Sequence, residues 1–156
     1  MTSLPRLVWW TVRLAIGIVL IAAALPKIAD PGAFAWAVGR YEIPWVPAGP
    51  VAVFLPWLEL LAGLAAVAAP ALRRGALGLA AALFAGFAAA GAAALLGGLS
   101  IPCGCFSLAA DAAPLGWTHV AANLAAACAA AALSVRECPH CRKVIVSEPA
   151  SNPTAI

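Results

Sequence analysis

Residues 75–96 read GALGLAAALFAGFAAAGAAALL, a run of glycine, alanine, leucine and phenylalanine without a single charge. At 1.5 Å of rise per residue a helix of this length reaches about 33 Å, and a bilayer's hydrocarbon core is about 30 Å thick. Backbone amides have no water to bond in that core, so a run of this kind crosses it as a helix. Three more stretches have similar length and composition: residues 7–28, 51–69 (with Pro56 near its start) and 116–135. The expected fold is an all-α membrane protein, a four-transmembrane-helix bundle within residues 1–135.

Composition agrees. The chain has 156 residues, of which 65% are hydrophobic and 10% charged. Soluble domains hold about 25% charged residues. There is no room for a sizeable soluble domain. Small residues dominate the apolar content, and in lipid they matter because they let helix backbones approach closely. Faces such as Ala82-x-x-x-Gly86 suit packing within one bundle or between two copies, so a homo-oligomer is compatible with the chain. The net charge of +3 does not indicate nucleic-acid binding, because the basic residues sit at span ends, where they orient helices in the bilayer.

The first run has some features of a secretory signal peptide: Arg6 in front, an apolar stretch, then Ala22-Ala23-Ala24. Arg13 interrupts that stretch, and Lys27 and Asp30 follow as a membrane exit, so a retained span is the better reading. Between the first two spans, Asp30-Pro31 is a helix start, since Asp caps the free amides and Pro fits the first turn. Ala33, Phe34, Ala37, Val38 and Tyr41 recur at helical spacing. The pattern predicts a short amphipathic interfacial helix ending near Ile43-Pro44, with Trp36, Tyr41 and Trp45 at the depth where aromatic residues gather.

Basic residues set the orientation. Arg6, Arg73, Arg74, Arg136, Arg142 and Lys143 fall on one side; Lys27 and Arg40 fall on the other, with Asp30 and Glu42. The positive-inside rule then puts both termini in the cytoplasm of a plasma membrane. The loop between the third and fourth spans lies outside, where paired cysteines persist as disulfides. Residues 136–156 form a cytoplasmic tail whose distal part is expected to be disordered.

Five cysteines are arranged as two close pairs and one single residue. Cys103-Gly104-Cys105 occupies the external loop. A Cys-x-Cys ring is small and strained, and strained disulfides exchange readily. The bland alternative is two inert thiols. Cys128, among alanines in the fourth span, reads as a small apolar packing residue. Cys138-Pro139-His140-Cys141 follows the fourth span. Its C-x-x-C spacing suits redox exchange, and it is also half of a tetrahedral zinc site. Zinc at Cys138 and Cys141, a second redox pair and an unreactive tail all stay open. A direct relay between the two pairs is disfavoured, because exchange needs sulfur-to-sulfur contact and a membrane thickness separates them.

Two ionisable residues accompany the external pair. His119, one turn into the fourth span beside Trp117, would either take protons from a reacting thiol or hydrogen-bond a loop carbonyl. Glu59 lies within Leu55-Pro56-Trp57-Leu58-Glu59-Leu60. A carboxyl at membrane depth is a functional candidate by default. It would either tie helices together through Lys27 or Arg13, or serve a proton relay or quinone contact.

The order Lys27-Ile28-x-Asp30-Pro31-x-x-Phe34, Tyr41-x-Ile43-Pro44, Leu55-Pro56-x-Leu58-Glu59-Leu60-x-x-Gly63 and Cys103-Gly104-Cys105-Phe106 resembles the MauE family, bacterial redox-associated membrane proteins grouped with DoxX-like proteins. The resemblance covers residues 7–135. It implies a four-helix bundle in the bacterial plasma membrane with an external redox-active cysteine pair. It also implies a part in methylamine utilisation, through disulfide formation in the periplasmic methylamine dehydrogenase. The architecture is also similar to that of the vitamin K epoxide reductase family, which passes electrons between thiols and a quinone. Ser107 stands where family members often carry glycine, and the Cys138–Cys141 tail departs from the pattern.

The expected function is therefore a membrane thiol–disulfide oxidoreductase or maturation factor. Cys103 and Cys105 would exchange with a thioredoxin-like partner or a secreted client. A quinone would sit near Trp57, Glu59, Trp117 and His119, with Phe106 and Trp117 shielding the site. The alternative is a non-catalytic subunit or assembly factor that docks a redox enzyme, with a fixed external disulfide and a metal- or partner-binding tail.

Overall fold

The computed structural model describes residues 3–102 and 114–137, with side chains from Leu7 onward. Five helices follow in order: α1 (Ser3–Ala29), α2 (Pro31–Gly39), α3 (Ala48–Ala68), α4 (Arg73–Leu96) and α5 (Trp117–Arg136). All but α2 are long and apolar enough to cross a membrane, and the four expected spans fall on them. Cys103, Cys105 and Phe106, and the tail with Cys138 and Cys141, lie outside the described residues.

Helix α1 packs chiefly on α3 and α4 on α5, while α3 against α4 joins the two pairs. The shared core is built from small residues with a few large ones: Leu20, Leu77 and Phe84 among Ala66, Ala80 and Ala130. Large apolar side chains such as Ile18, Phe54, Leu61 and Leu124 point outward instead. That inversion suits lipid, where small residues gain more from close backbone approach than large ones gain from burial.

Gly17 of α1 and Gly63 of α3 bring two helix backbones close together. A Cβ on Gly63 would stand 2.8 Å from the Gly17 carbonyl oxygen and 2.9 Å from Ile21 Cγ1, and one on Gly17 would collide with Val67. The crossing is possible only because both positions lack a side chain. Gly86, by contrast, meets nothing; the Ala82-x-x-x-Gly86 face is turned outward and packs no helix within the bundle. Cys128 is exposed as well. The expectation that it packs in the interior is corrected: its neighbours Ala127 and Ala130 face the core, while Cys128 points outward from α5, the least buried of the four long helices.

Helix α2 starts as its sequence demands. Asp30 Oδ1 accepts from the Ala33 amide at 2.8 Å, and Pro31 occupies the first turn. The helix ends at Gly39, short of the expected Ile43-Pro44, and Glu42 follows in a left-handed conformation (φ 52°). Phe34 faces inward and Trp36 outward. The end of α4 is a Schellman turn. Gly98 takes φ 73°, its amide donates to Leu95 O, and the Leu99 amide donates to Ala94 O. Glycine suits that position because it carries no Cβ to clash there.

Candidate functional site

The chain leaves α4 through this glycine turn and reaches Ile101, which is buried. There the Leu115 amide donates to the Ile101 carbonyl at 2.8 Å, and Pro102 pairs with Pro114 in an isolated antiparallel bridge. A neck therefore closes both ends of the Cys103–Ala113 loop at one point, just before α5 begins. Gly91 of α4 faces this neck: a Cβ there would lie 3.3 Å from Val120 and 3.6 Å from Leu115. Close packing of α4 on α5 thus seats Leu115, which holds Ile101 two residues before Cys103.

The cysteine tail attaches at the far end of the same helix. Glu137 follows α5 directly and Cys138 follows Glu137. A 20-residue helix spans about 30 Å, so the attachment points of the two cysteine pairs stand a membrane thickness apart.

His119 sits in the first turn of α5, half-buried. Its Nδ1 accepts from the Gly116 amide at 3.2 Å, which satisfies one of the free amides at the helix start. With that lone pair engaged, the neutral ring carries its proton on Nε2. In this geometry His119 offers a donor rather than a base. The other expected partner, a carbonyl of the loop, lies outside the described residues. Trp117, two residues earlier, is exposed.

The buried charge lies below the neck. Glu59 is entirely buried, and Lys27 is buried nearly as well. Lys27 Nζ donates to Glu59 Oε1 at 2.7 Å and to Oε2 at 2.8 Å. The ammonium also stands over two rings, Phe34 of α2 at 5.1 Å and Phe87 of α4 at 5.2 Å from their centroids. One lysine thereby gathers α1, α2, α3 and α4. Helix geometry explains the reach. Lys27 lies ten residues beyond the Gly17 crossing and Glu59 four residues before Gly63, a difference of roughly 9 Å along the axes. Side chains lean toward the N-terminus of their own helix. In antiparallel helices, Lys27 and Glu59 therefore lean toward each other. Of the two cations considered for Glu59, Lys27 is the partner and Arg13 is not.

Trp57 does not join this cluster. Two residues along a helix is a rotation of about 200°, and Trp57 points outward while Glu59 points inward. Trp57 and Glu59 therefore share no face of α3. A quinone touching Trp57 would lie on the outer surface of the bundle.

At the opposite end stands a cluster that sequence reasoning missed. Glu137 Oε1 lies 3.7 Å from Arg13 and 3.9 Å from Arg73, and Arg136 stacks on Trp9 at 3.8 Å from its centroid. The Ser134 hydroxyl donates to the Arg74 carbonyl, closing α5 on α4. Among the described residues no group of three or more His, Cys, Asp and Glu side chains converges as a metal site.

Comparison with known proteins agrees with the motif reading. The family model described as methylamine utilisation protein MauE matches residues 5–136. The methylamine utilization protein MauE of Methylophilus methylotrophus is 38% identical over 116 residues, which is 73% of this chain and 60% of that protein. The chain thus matches about three-fifths of that relative's length. No solved structure matches the chain.

Proposed function

The chain belongs to the MauE family, and we propose that it is a membrane-bound maturation factor that supplies disulfides to a secreted client of methylamine utilisation. The Cys103–Cys105 disulfide is the oxidant. A thiolate of the client, or of a thioredoxin-like partner, attacks one sulfur; a mixed disulfide forms and the other cysteine leaves as thiolate. The second client thiolate then resolves the mixed disulfide. The client ends oxidised, and Cys103 and Cys105 end as a dithiol. Reoxidation passes two electrons and two protons to a quinone, giving quinol. His119 follows Leu115 of the neck by four residues, and its Nε2–H would stabilise a leaving thiolate.

The observation that supports this most is the neck. The Ile101–Leu115 hydrogen bond and the Pro102–Pro114 bridge fix the stem of the Cys103-Gly104-Cys105 loop at the end of the bundle. A short exchange-prone ring on a rigid stem meets a partner at low entropic cost. Thiol trapping tests the proposal. In Cys105→Ser or Cys103→Ser, one of the two proteins should hold the client or the thioredoxin-like partner as a mixed disulfide, and client oxidation should stop. Undiminished client oxidation in both variants overturns it.

One observation favours a second reading, an assembly factor with a fixed external disulfide. Both oxygens of Glu59 are engaged by Lys27, so the buried carboxylate looks built to hold helices. Under that reading both serine variants still support client assembly, and the tail Cys138/Cys141 binds zinc or the partner. Metal analysis of the purified protein separates a zinc tail from a redox tail.

A further inference from the structure

We propose that the Arg13–Arg73 cluster, at the end of the bundle opposite the neck, is a binding site for a phosphate group, supplied by an anionic phospholipid headgroup or by free phosphate. The inference is independent of the thiol chemistry.

Arg13 is nine-tenths buried, on a span where a charge is costly unless it reaches the interface or a partner. Its side chain leans toward the start of α1, and its guanidinium stands level with Glu137, just beyond the end of α5. That is headgroup depth, and the aromatic residues agree: Trp10 lies 5.9 Å from the Arg13 guanidinium and is itself exposed, while Trp9 carries Arg136.

Among the described residues the charges at this end are not balanced. Arg13 and Arg73 share one carboxylate, Glu137, and Arg136 stands next to it in the chain; of the other described acids, Asp30 follows α1, Glu42 follows α2 and Glu59 is held by Lys27. Neither contact to Glu137 is short enough for a hydrogen bond. Arg13 Nε and Arg73 Nε are buried and have no hydrogen-bond partner among the described residues. Buried donors are normally satisfied. Two guanidinium groups with unused donors, converging from different helices, suit a tetrahedral anion with several acceptor oxygens. Leu72, which precedes α4, makes no side-chain cap, so backbone amides at the start of that helix add to the positive field beside Arg73. Glu137 occupies the position of the anion only loosely, at distances a phosphate oxygen would shorten.

The test uses the full purified chain in neutral micelles, with phosphatidylglycerol, phosphatidylcholine or inorganic phosphate added, and follows retained lipid by native mass spectrometry and protection by thermal unfolding. Phosphatidylglycerol should be retained over phosphatidylcholine by about five-fold. Arg73→Gln should remove that preference, while Glu137→Gln, which takes away the competing carboxylate, should strengthen it. Arg13→Gln risks misfolding because the residue is buried; the two other variants keep the proposal testable without it. Protection by inorganic phosphate that disappears in Arg73→Gln identifies a free anion as sufficient, and protection by phosphatidylglycerol alone identifies the lipid. Equal retention of the two lipids without any Arg73-dependent phosphate protection overturns the site. So does a lipid preference that survives Arg73→Gln or fails to rise in Glu137→Gln.

Discussion

Two charged clusters lie in this small bundle, and they solve the same problem in opposite ways. Lys27 and Glu59 are buried together, with both carboxylate oxygens at hydrogen-bond distance and two aromatic rings against the ammonium. Arg13, Arg73 and Glu137 meet at 3.7 and 3.9 Å, with Glu137 partly exposed and two guanidinium nitrogens without partners among the described residues. The first cluster is closed: each oxygen of the fully buried carboxylate is held by the ammonium, and the pair joins four helices. The second is open: it has donors to spare at the edge of the bilayer. Buried charge alone therefore does not mark a site. What marks one is unmatched hydrogen-bonding capacity near a route from solvent or lipid.

The largest expected effect comes from opening the closed cluster. Lys27→Met leaves the Glu59 carboxylate buried and unpaired, which should cost about 3–5 kcal/mol. It should appear as lost folded protein, or as a large fall in the unfolding midpoint in nanodiscs. The double variant Lys27→Met/Glu59→Leu should recover most of the loss, because removing both charges also removes the desolvation penalty. A double variant as unstable as the single one would break the comparison and point to a function for the pair beyond joining helices. Next in size is Gly63→Ala. Its Cβ would meet the Gly17 carbonyl and Ile21, so α1 must move off α3 at a cost of about 1–3 kcal/mol. Because Lys27 reaches Glu59 across that same crossing, a double-mutant cycle between Gly63→Ala and Lys27→Met should show coupling. Strict additivity would separate the clasp from the crossing.

Much of this was legible in the sequence. Span length and composition placed α1, α3, α4 and α5, because lipid leaves an apolar run of twenty residues few alternatives to a helix. Asp30-Pro31 placed the start of α2, and Lys27 was one of two cations within reach of Glu59. The losses have physical causes. Trp57 was grouped with Glu59 by closeness in the chain, whereas two positions on a helix face nearly opposite directions. Gly17 and Gly63 are single glycines on separate helices, so neither makes a periodic pattern; the Ala82/Gly86 pair does make one and faces outward. Glu137 was read as part of a tail, since its contacts to Arg13 and Arg73 come from the far ends of other helices. His119 lies at the start of α5 as its position in the chain indicates, but the bond that its Nδ1 accepts from the Gly116 amide depends on backbone geometry that composition does not encode.

A smaller effect tests whether the closed cluster depends on its roof. Asp30→Ala removes the side-chain acceptor that holds the Ala33 amide, at a cost of about 1 kcal/mol. Phe34 sits one turn into the same helix and covers Lys27. Hydrogen exchange at residues 31–39 should rise in Asp30→Ala while exchange in the middle of α3 stays slow. Faster exchange in both would mean that α2 and the ion pair open together.

The smallest stability effect separates the clusters by screening. Surface-accessible ion pairs contribute about 0–1 kcal/mol and weaken with salt, whereas buried pairs are screened far less. Glu137→Gln should therefore shift the unfolding midpoint only slightly in neutral micelles, and the shift should fade as salt rises from 0.05 to about 0.5 M, where the Debye length has contracted to a few ångströms. The Lys27→Met penalty should keep its size over the same range. A Glu137→Gln penalty that is large and independent of salt would mean that the basic end is as closed as the Lys27–Glu59 pair, and would take away the spare donors on which phosphate binding depends.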